Sequence, residues 1–161
     1  MFNLKTEFYL KIIFLFSFIA LISAFFIEYI LGHQPCNLCL IERIPYGLSI
    51  IIIMTIFLFK KNQKFLVMLL ILTFIFSFAI SFYHFGIEQG FFQESSVCGV
   101  KSLTESITKE DLLKQLSKKT ISCKDVTFRI FGLSLTSINI ILNLLFIITL
   151  FKIFNKYEKD K

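Results

Sequence analysis

Gln34-Pro35-Cys36-Asn37-Leu38-Cys39-Leu40-Ile41-Glu42-Arg43 runs directly into the apolar stretch Ile44 to Phe59, and the reading of this junction decides the fold. It sets a C-x-x-C pair and an arginine at the mouth of a membrane-spanning segment. Two thiols separated by two residues can close a small disulfide ring, and their mutual influence with nearby positive charge draws a thiol toward the reactive thiolate. A helix through this stretch places Cys39 and Arg43 one turn apart on one face. The cation beside the second sulfur would then be one that cannot lose its proton. Helix starting only at Ile44 would fall short of the ~30 Å hydrocarbon core. Helix is therefore expected to begin before Arg43, with a kink or irregular turn at Pro45.

The rest of the chain fits a membrane setting. Of its 161 residues 56% are apolar and 22 are Phe, and its mean hydropathy is positive, which excludes an ordinary soluble domain. Phe8 to Leu31, Leu38 to Phe59, Phe65 to Phe85 and Ile130 to Phe151 are each apolar runs of membrane-crossing length. Open sheets cannot satisfy their backbone in lipid. The expected fold is all-α: a four-helix integral membrane bundle forming a single domain over residues 1–161, with outer loops at about 32–40 and 86–128. Ile12 to Ile27 is longer than a signal-peptide core and lacks a clear small-x-small cleavage site, so it reads as a retained span.

Charge placement gives an orientation. Lys5, Lys11, Lys60, Lys61, Lys64, Lys152, Lys156, Lys159 and Lys161, set against Glu7, Glu158 and Asp160, carry the whole formal net charge of +6. The positive-inside rule makes that side cytoplasmic, both termini included. Basic and aromatic residues do not interleave on a soluble surface, so nucleic acid is not an expected partner. All four cysteines, Cys36, Cys39, Cys98 and Cys123, fall on the opposite, oxidising side. Only a handful of residues separate the first two spans, which keeps the C-x-x-C pair within reach of a lipid-soluble partner. In the longer outer loop, the capping-box-like Thr108-Lys109-Glu110-Asp111 precedes Leu112, Leu113 and Leu116, with Ile107 just ahead. A short amphipathic helix is expected there, lying on the membrane or packed on the bundle.

A ring closed by Cys36 and Cys39 constrains almost no chain entropy, so a purely structural role for it is weak. A Cys98–Cys123 disulfide would close a longer loop, and a structural role for that pair stays open. Two pairs suit a relay in which two electrons pass from an external dithiol to the loop pair and on to the C-x-x-C pair. At a membrane surface a quinone is the natural terminal acceptor. No resident metal is expected: zinc knuckles join two close-spaced couples, Cys98 and Cys123 are singletons, and an oxidising compartment disfavours free thiolates. Leu40 stands where haem attachment needs histidine. His84 by itself reads first as an interfacial hydrogen-bonding residue. The stripe Ser134, Thr136, Ser137, Asn139 and Asn143 reads as glue between helices.

In order and spacing, Pro35-Cys36-Asn37-Leu38-Cys39 with Glu42-Arg43, then Tyr83-His84-Phe85-Gly86-Ile87-Glu88 ahead of Cys98-Gly99, then Cys123 with Phe131-Gly132-Leu133-Ser134-Leu135 and Asn139, form one pattern. It resembles the DsbB family of bacterial disulfide bond formation proteins, four-helix quinone reductases of the inner membrane that reoxidise DsbA, a periplasmic thioredoxin-fold thiol oxidase. The resemblance implies a membrane protein-dithiol:quinone oxidoreductase using ubiquinone or menaquinone. Cys98 would be attacked by the partner's thiolate, Cys123 would exchange with Cys36, and Cys39 would become the thiolate that donates to the quinone. Arg43, with Glu42, would hold the quinone, and His84 would lie near the same pocket. Phe128 and Ile138 stand where the family often has tryptophan, and the chain has no Trp. Vitamin K epoxide reductase-like bundles place the C-x-x-C pair after the loop cysteines, the reverse of the order here. From another class, the chain could be a structural or interaction membrane protein whose outer loops are stapled by disulfides; Cys36→Ser would then abolish no electron transfer.

Overall fold

A computed structural model describes residues 4–59, 62–93, 98, 123–124, 129–130 and 132–159. Helices α1 (Leu4–Tyr29), α2 (Asn37–Ile41), α3 (Arg43–Leu58), α4 (Gln63–Glu88) and α5 (Leu135–Lys159) are joined by a small ribbon, β1 (Arg129–Ile130) with β2 (Leu133–Ser134). Thr6–Tyr29, Asn37–Leu58, Gln63–Glu88 and Leu135–Lys156 are long and apolar enough to cross a membrane. At 1.5 Å per residue even the 22-residue segments reach about 33 Å, more than the hydrocarbon thickness. The all-α membrane bundle is thus the observed architecture. The amphipathic helix expected over Ile107 to Leu116 lies outside the described residues.

The second span is a short helix followed by a long one. Helix α2 starts at Asn37, ahead of Arg43, and the irregular turn falls at Glu42 rather than at Pro45. The cause is still the proline. It has no N–H to offer the carbonyl one turn back, at Ile41, and its ring crowds that carbonyl, so the helix is disturbed there. Glu42 keeps helical dihedrals (φ −63°, ψ −17°), and its N–H reaches the Leu38 carbonyl at 2.9 Å. The two pieces therefore stay nearly continuous.

The fourth span begins at Leu135, later than the apolar run that starts at Ile130. The intervening residues pair as an antiparallel hairpin, Arg129 with Ser134 and Ile130 with Leu133. Its turn contains Gly132 at φ +83°, a left-handed conformation that suits a two-residue hairpin. Ser134 then caps α5, its Oγ accepting the Ser137 N–H at 3.2 Å. A close approach decides a second glycine. A Cβ on Gly86 would sit 2.1 Å from the Phe92 ring, which folds back over α4 and stacks on Tyr83 at 5.7 Å.

Helix α1 packs on α3, α3 on α4 and, most extensively, α4 on α5, whereas α1 and α5 touch sparingly. The bundle is therefore open along one side. Its apolar half is built from Leu10, Ile13, Ile53, Ile56, Leu70, Phe74, Phe146 and Leu150, all buried. Phe74 sits edge-on to Phe146 at 5.1 Å and to Tyr46 at 6.3 Å. Outward-facing Phe18, Phe26, Ile51, Phe76 and Leu145 are exposed, the surface a lipid-solvated helix presents.

Candidate functional site

At the opposite end from that apolar core, the breakers that end α1 leave Cys36 just ahead of the next helix. Cys36 is the N-cap of α2, with extended dihedrals, and its sulfur accepts the Cys39 N–H at 3.2 Å. One turn of helix brings the second thiol to the same end, close to the first. Cys36 and Cys39 are free thiols, whereas Cys98 and Cys123 form a disulfide with Cα atoms 5.5 Å apart. Buried Cys36, Cys98 and Cys123 belong to one cluster with Leu38 and Ile87, and Cys39, Ile41, Ile80 and Tyr83 pack against it. All four cysteines therefore share one packed region.

His84, only 3% exposed, reaches this region from α4. Its Nε2 lies 3.6 Å from the Cys36 sulfur and its Nδ1 lies 2.9 Å from Glu42 Oε1. A carboxylate can only accept, so Nδ1 carries the proton and Nε2 faces the sulfur. The Cys39 thiol bonded to Cys36, and after it the His84 imidazole, hold the Cys36 thiol down to about 5, against burial that pushes it up. A hydrogen-bonded thiolate at a helix N-terminus is the charge form this setting favours. The sequence placed the permanent cation beside Cys39. In the structure the sulfur whose charge is most favoured is Cys36, and its partners are a thiol and a histidine.

Glu42 is held from a third helix. Its Oε2 accepts Asn139 Nδ2 at 2.9 Å; Asn139 Nδ2 also donates to Ser81 Oγ at 2.8 Å, and the Tyr46 hydroxyl donates to Asn139 Oδ1. Thr136 stands 3.4 Å from His84 Nδ1 and donates to Glu88 Oε1 at 2.6 Å. Glu88 Oε2 is buried with no hydrogen-bond partner. Glu88, Thr136 and Asn139 are thus part of the site, although Thr136 and Asn139 read in the sequence as interhelical glue. The available signal was spacing: Glu88 follows His84 by one turn, and Thr136 and Asn139 share a face of α5.

Beside this network lies a cavity of about 410 Å³ in the gap between α1 and α5. Cys39, Glu42, Arg43 and Tyr46 line it from the second span, Phe16, Ile27 and Glu28 from α1, and Ile138 and Asn139 from α5. Cys39 and Arg43 therefore face one space. Ile138, at one of the two tryptophan positions of the resemblance, is on its wall; Phe128 lies outside the described residues. Arg43 Nη1 donates to Glu28 at 2.5 Å, and its guanidinium stands over the Phe25 ring at 5.2 Å. His84 does not line the cavity: it stands behind, against Cys36, and reaches the cavity wall through Glu42 and Thr136. Cys36, Cys39 and His84 offer ligand atoms that all lie within 4.8 Å of one another.

The family model for disulfide bond formation protein DsbB matches residues 6–153 of this chain. An uncharacterized protein of Rickettsia prowazekii (strain Madrid E), RP370, is 33% identical over 136 residues, covering 83% of this chain and 79% of that protein. No solved structure matches.

Proposed function

The chain belongs to the DsbB family, a membrane disulfide-bond formation protein with four helices able to span, and on that premise we propose that it is a protein-dithiol:quinone oxidoreductase. One observation carries the proposal. Cys39 packs against the cluster that contains the disulfide and also lines the cavity between α1 and α5. It is the residue through which a cysteine relay and a lipid-side acceptor would meet.

The partner is a reduced, DsbA-like thioredoxin-fold protein. Its thiolate attacks Cys98, its second thiol closes the partner's own disulfide, and two electrons with their protons are left on Cys98 and Cys123. Exchange of Cys123 with the Cys36–Cys39 disulfide restores Cys98–Cys123 and leaves the C-x-x-C pair as two thiols. A Cys98–Cys123 disulfide beside free Cys36 and Cys39 is compatible with that reading. A quinone supplies the sink for two electrons and two protons when bound.

The cavity suits such a group. It is walled by apolar side chains of α1 and α5 and ends at Arg43, Glu42 and Cys39. Arg43 has five N–H donors, and Glu28 engages Nη1, so the guanidinium can hold an acceptor oxygen beside Cys39. His84 and Glu42 position and charge-balance the dithiol: Nδ1–H fixed on Glu42 keeps Nε2 toward Cys36, where it can take or return the thiol proton. The open side between α1 and α5 gives a lateral path from the bilayer. With the positive charge on the termini and the α3–α4 turn, the cysteines face the periplasm of a bacterial inner membrane and both termini face the cytoplasm.

The test is quinone reduction by the purified chain in detergent, driven by a reduced thioredoxin-fold oxidase. Quinol formation abolished by Cys39→Ser and slowed by Arg43→Ala is the expected result. Thiol oxidation that is absent with several partners and with both ubiquinone and menaquinone would sink the proposal in favour of a disulfide-stapled structural protein.

A further inference from the structure

The reduced C-x-x-C pair has a histidine aimed at it whose other nitrogen is already occupied. In a tetrahedral zinc site with Zn–S near 2.3 Å and Zn–N near 2.0–2.1 Å, the sulfur–nitrogen edge is about 3.6 Å. Cys36 Sγ and His84 Nε2 are 3.6 Å apart, and Cys39 Sγ lies within the same 4.8 Å group. Glu42 on Nδ1 is the outer carboxylate that metal-ligating histidines normally carry, and Asn139 fixes that carboxylate in turn. Two soft sulfurs and an imidazole select d¹⁰ thiophilic cations over calcium or magnesium.

We propose that the reduced form captures one thiophilic divalent cation of the zinc class through Cys36 Sγ, Cys39 Sγ and His84 Nε2, and that capture blocks reoxidation of the pair. Of the three ligand residues Cys39 lines the cavity, which gives the cation a way in. Binding exchanges the thiol protons for the metal, and no electrons move. The site exists in one redox state only, because a closed Cys36–Cys39 disulfide offers no thiolate. Cys98 and Cys123 take no part, being joined to each other. The resident four-cysteine centre excluded on sequence grounds is a different arrangement. Capture stands on the geometry of the dithiol and His84, whatever oxidises the pair.

The experiment is an anaerobic Cd²⁺ titration of the reduced full-length chain in detergent, carrying Cys98→Ala and Cys123→Ala so that only Cys36 and Cys39 supply thiols. The readout is the sulfur-to-cadmium charge-transfer band. One equivalent should saturate it, the oxidised chain should show none, and Glu42→Gln should weaken binding about 10-fold or more. His84→Ala should weaken it further. Equal affinity with and without His84, or an equal band from the oxidised chain, overturns the proposal. If the double alanine variant loses its helical circular dichroism, the wild-type reduced chain decides. Zn²⁺ should protect Cys36 and Cys39 from alkylation, mapped by peptide mass spectrometry, and His84→Ala should remove that protection. Alkylation of both cysteines at the metal-free rate overturns it.

Discussion

The two ends of this bundle are held together by different physics. In the apolar half, Phe74, Phe146, Leu10 and Leu150 interlock by shape, with no directional bond among their side chains. In the cysteine half, Cys36, His84, Glu42 and Asn139 come from three spans, and each is placed by a bond to the next. Helices already surrounded by lipid gain little from hydrophobic transfer on association, so packing and interhelical hydrogen bonds have to hold them. The first end tolerates rearrangement of volume. The second does not tolerate the loss of one partner.

The largest effect should come from emptying the apolar half. Phe74→Ala removes a fully buried ring that touches both Tyr46 and Phe146, and should cost about 3–5 kcal/mol. Thermal unfolding in detergent should show a markedly lower midpoint, while the charge form of Cys36 in the fraction still folded stays as in wild type. A shift of both together would mean that the two ends are one cooperative unit.

Cutting the polar half should cost less in stability and more in chemistry. Glu42→Leu takes the carboxylate from His84 Nδ1, a buried donor, leaves Asn139 Nδ2 with Ser81 alone, and should destabilise by about 2 kcal/mol. Glu42→Gln retains the shape and an acceptor for Asn139, so it should lose less. Equal midpoints for both variants and wild type would show that water replaces the carboxylate without cost.

Much of this contrast was legible in the sequence, and its limits are physical. Length and hydropathy revealed the spans because lipid permits so few backbone solutions. Cys39 and Arg43 could be set on one face because helical spacing is rigid, and both line the cavity. Pro45 signalled a disturbed helix, but the disturbance acts on the carbonyl one turn back, so it surfaces at Glu42. The apolar run from Ile130 hid a hairpin because Arg129 to Ser134 is too short to show a two-residue period. Thr136 and Asn139 read as glue because a polar stripe on one helix does not say what it faces. It was the folded placement of α4 beside α5 that brought Glu88, His84 and Asn139 together.

Titration separates the two hydrogen-bond donors of Cys36. With its thiol drawn down toward about 5 by the Cys39 thiol and His84, Cys36 should take up its proton only well below the ordinary thiol range. Removing a donor that favours the charged form moves the midpoint up, so His84→Ala should raise it, leaving the Cys39 bond to hold it below the ordinary thiol value. Thiolate absorbance of the reduced chain against pH, with Cys98→Ala and Cys123→Ala, reads this directly. An unmoved midpoint would assign the whole effect to Cys39 and the helix N-terminus.

The smallest effect tests the boundary itself, at the residue that belongs to both halves. The Tyr46 ring packs against Phe74 in the apolar core, while its hydroxyl bonds Asn139, which also holds Glu42. Tyr46→Phe keeps the ring and deletes only the hydroxyl, so the apolar half should be untouched. Asn139 Oδ1 loses that donor but still lies 3.4 Å from Asn143 Nδ2, and Asn139 Nδ2 keeps both Ser81 and Glu42. The cost should therefore be near the net value of one hydrogen bond, about 1 kcal/mol. A loss as large as that of Phe74→Ala would mean that the hydroxyl organises the core and the two halves are not separable. No loss at all would mean that Asn139, fixed by Ser81, holds Glu42 without help from the apolar end.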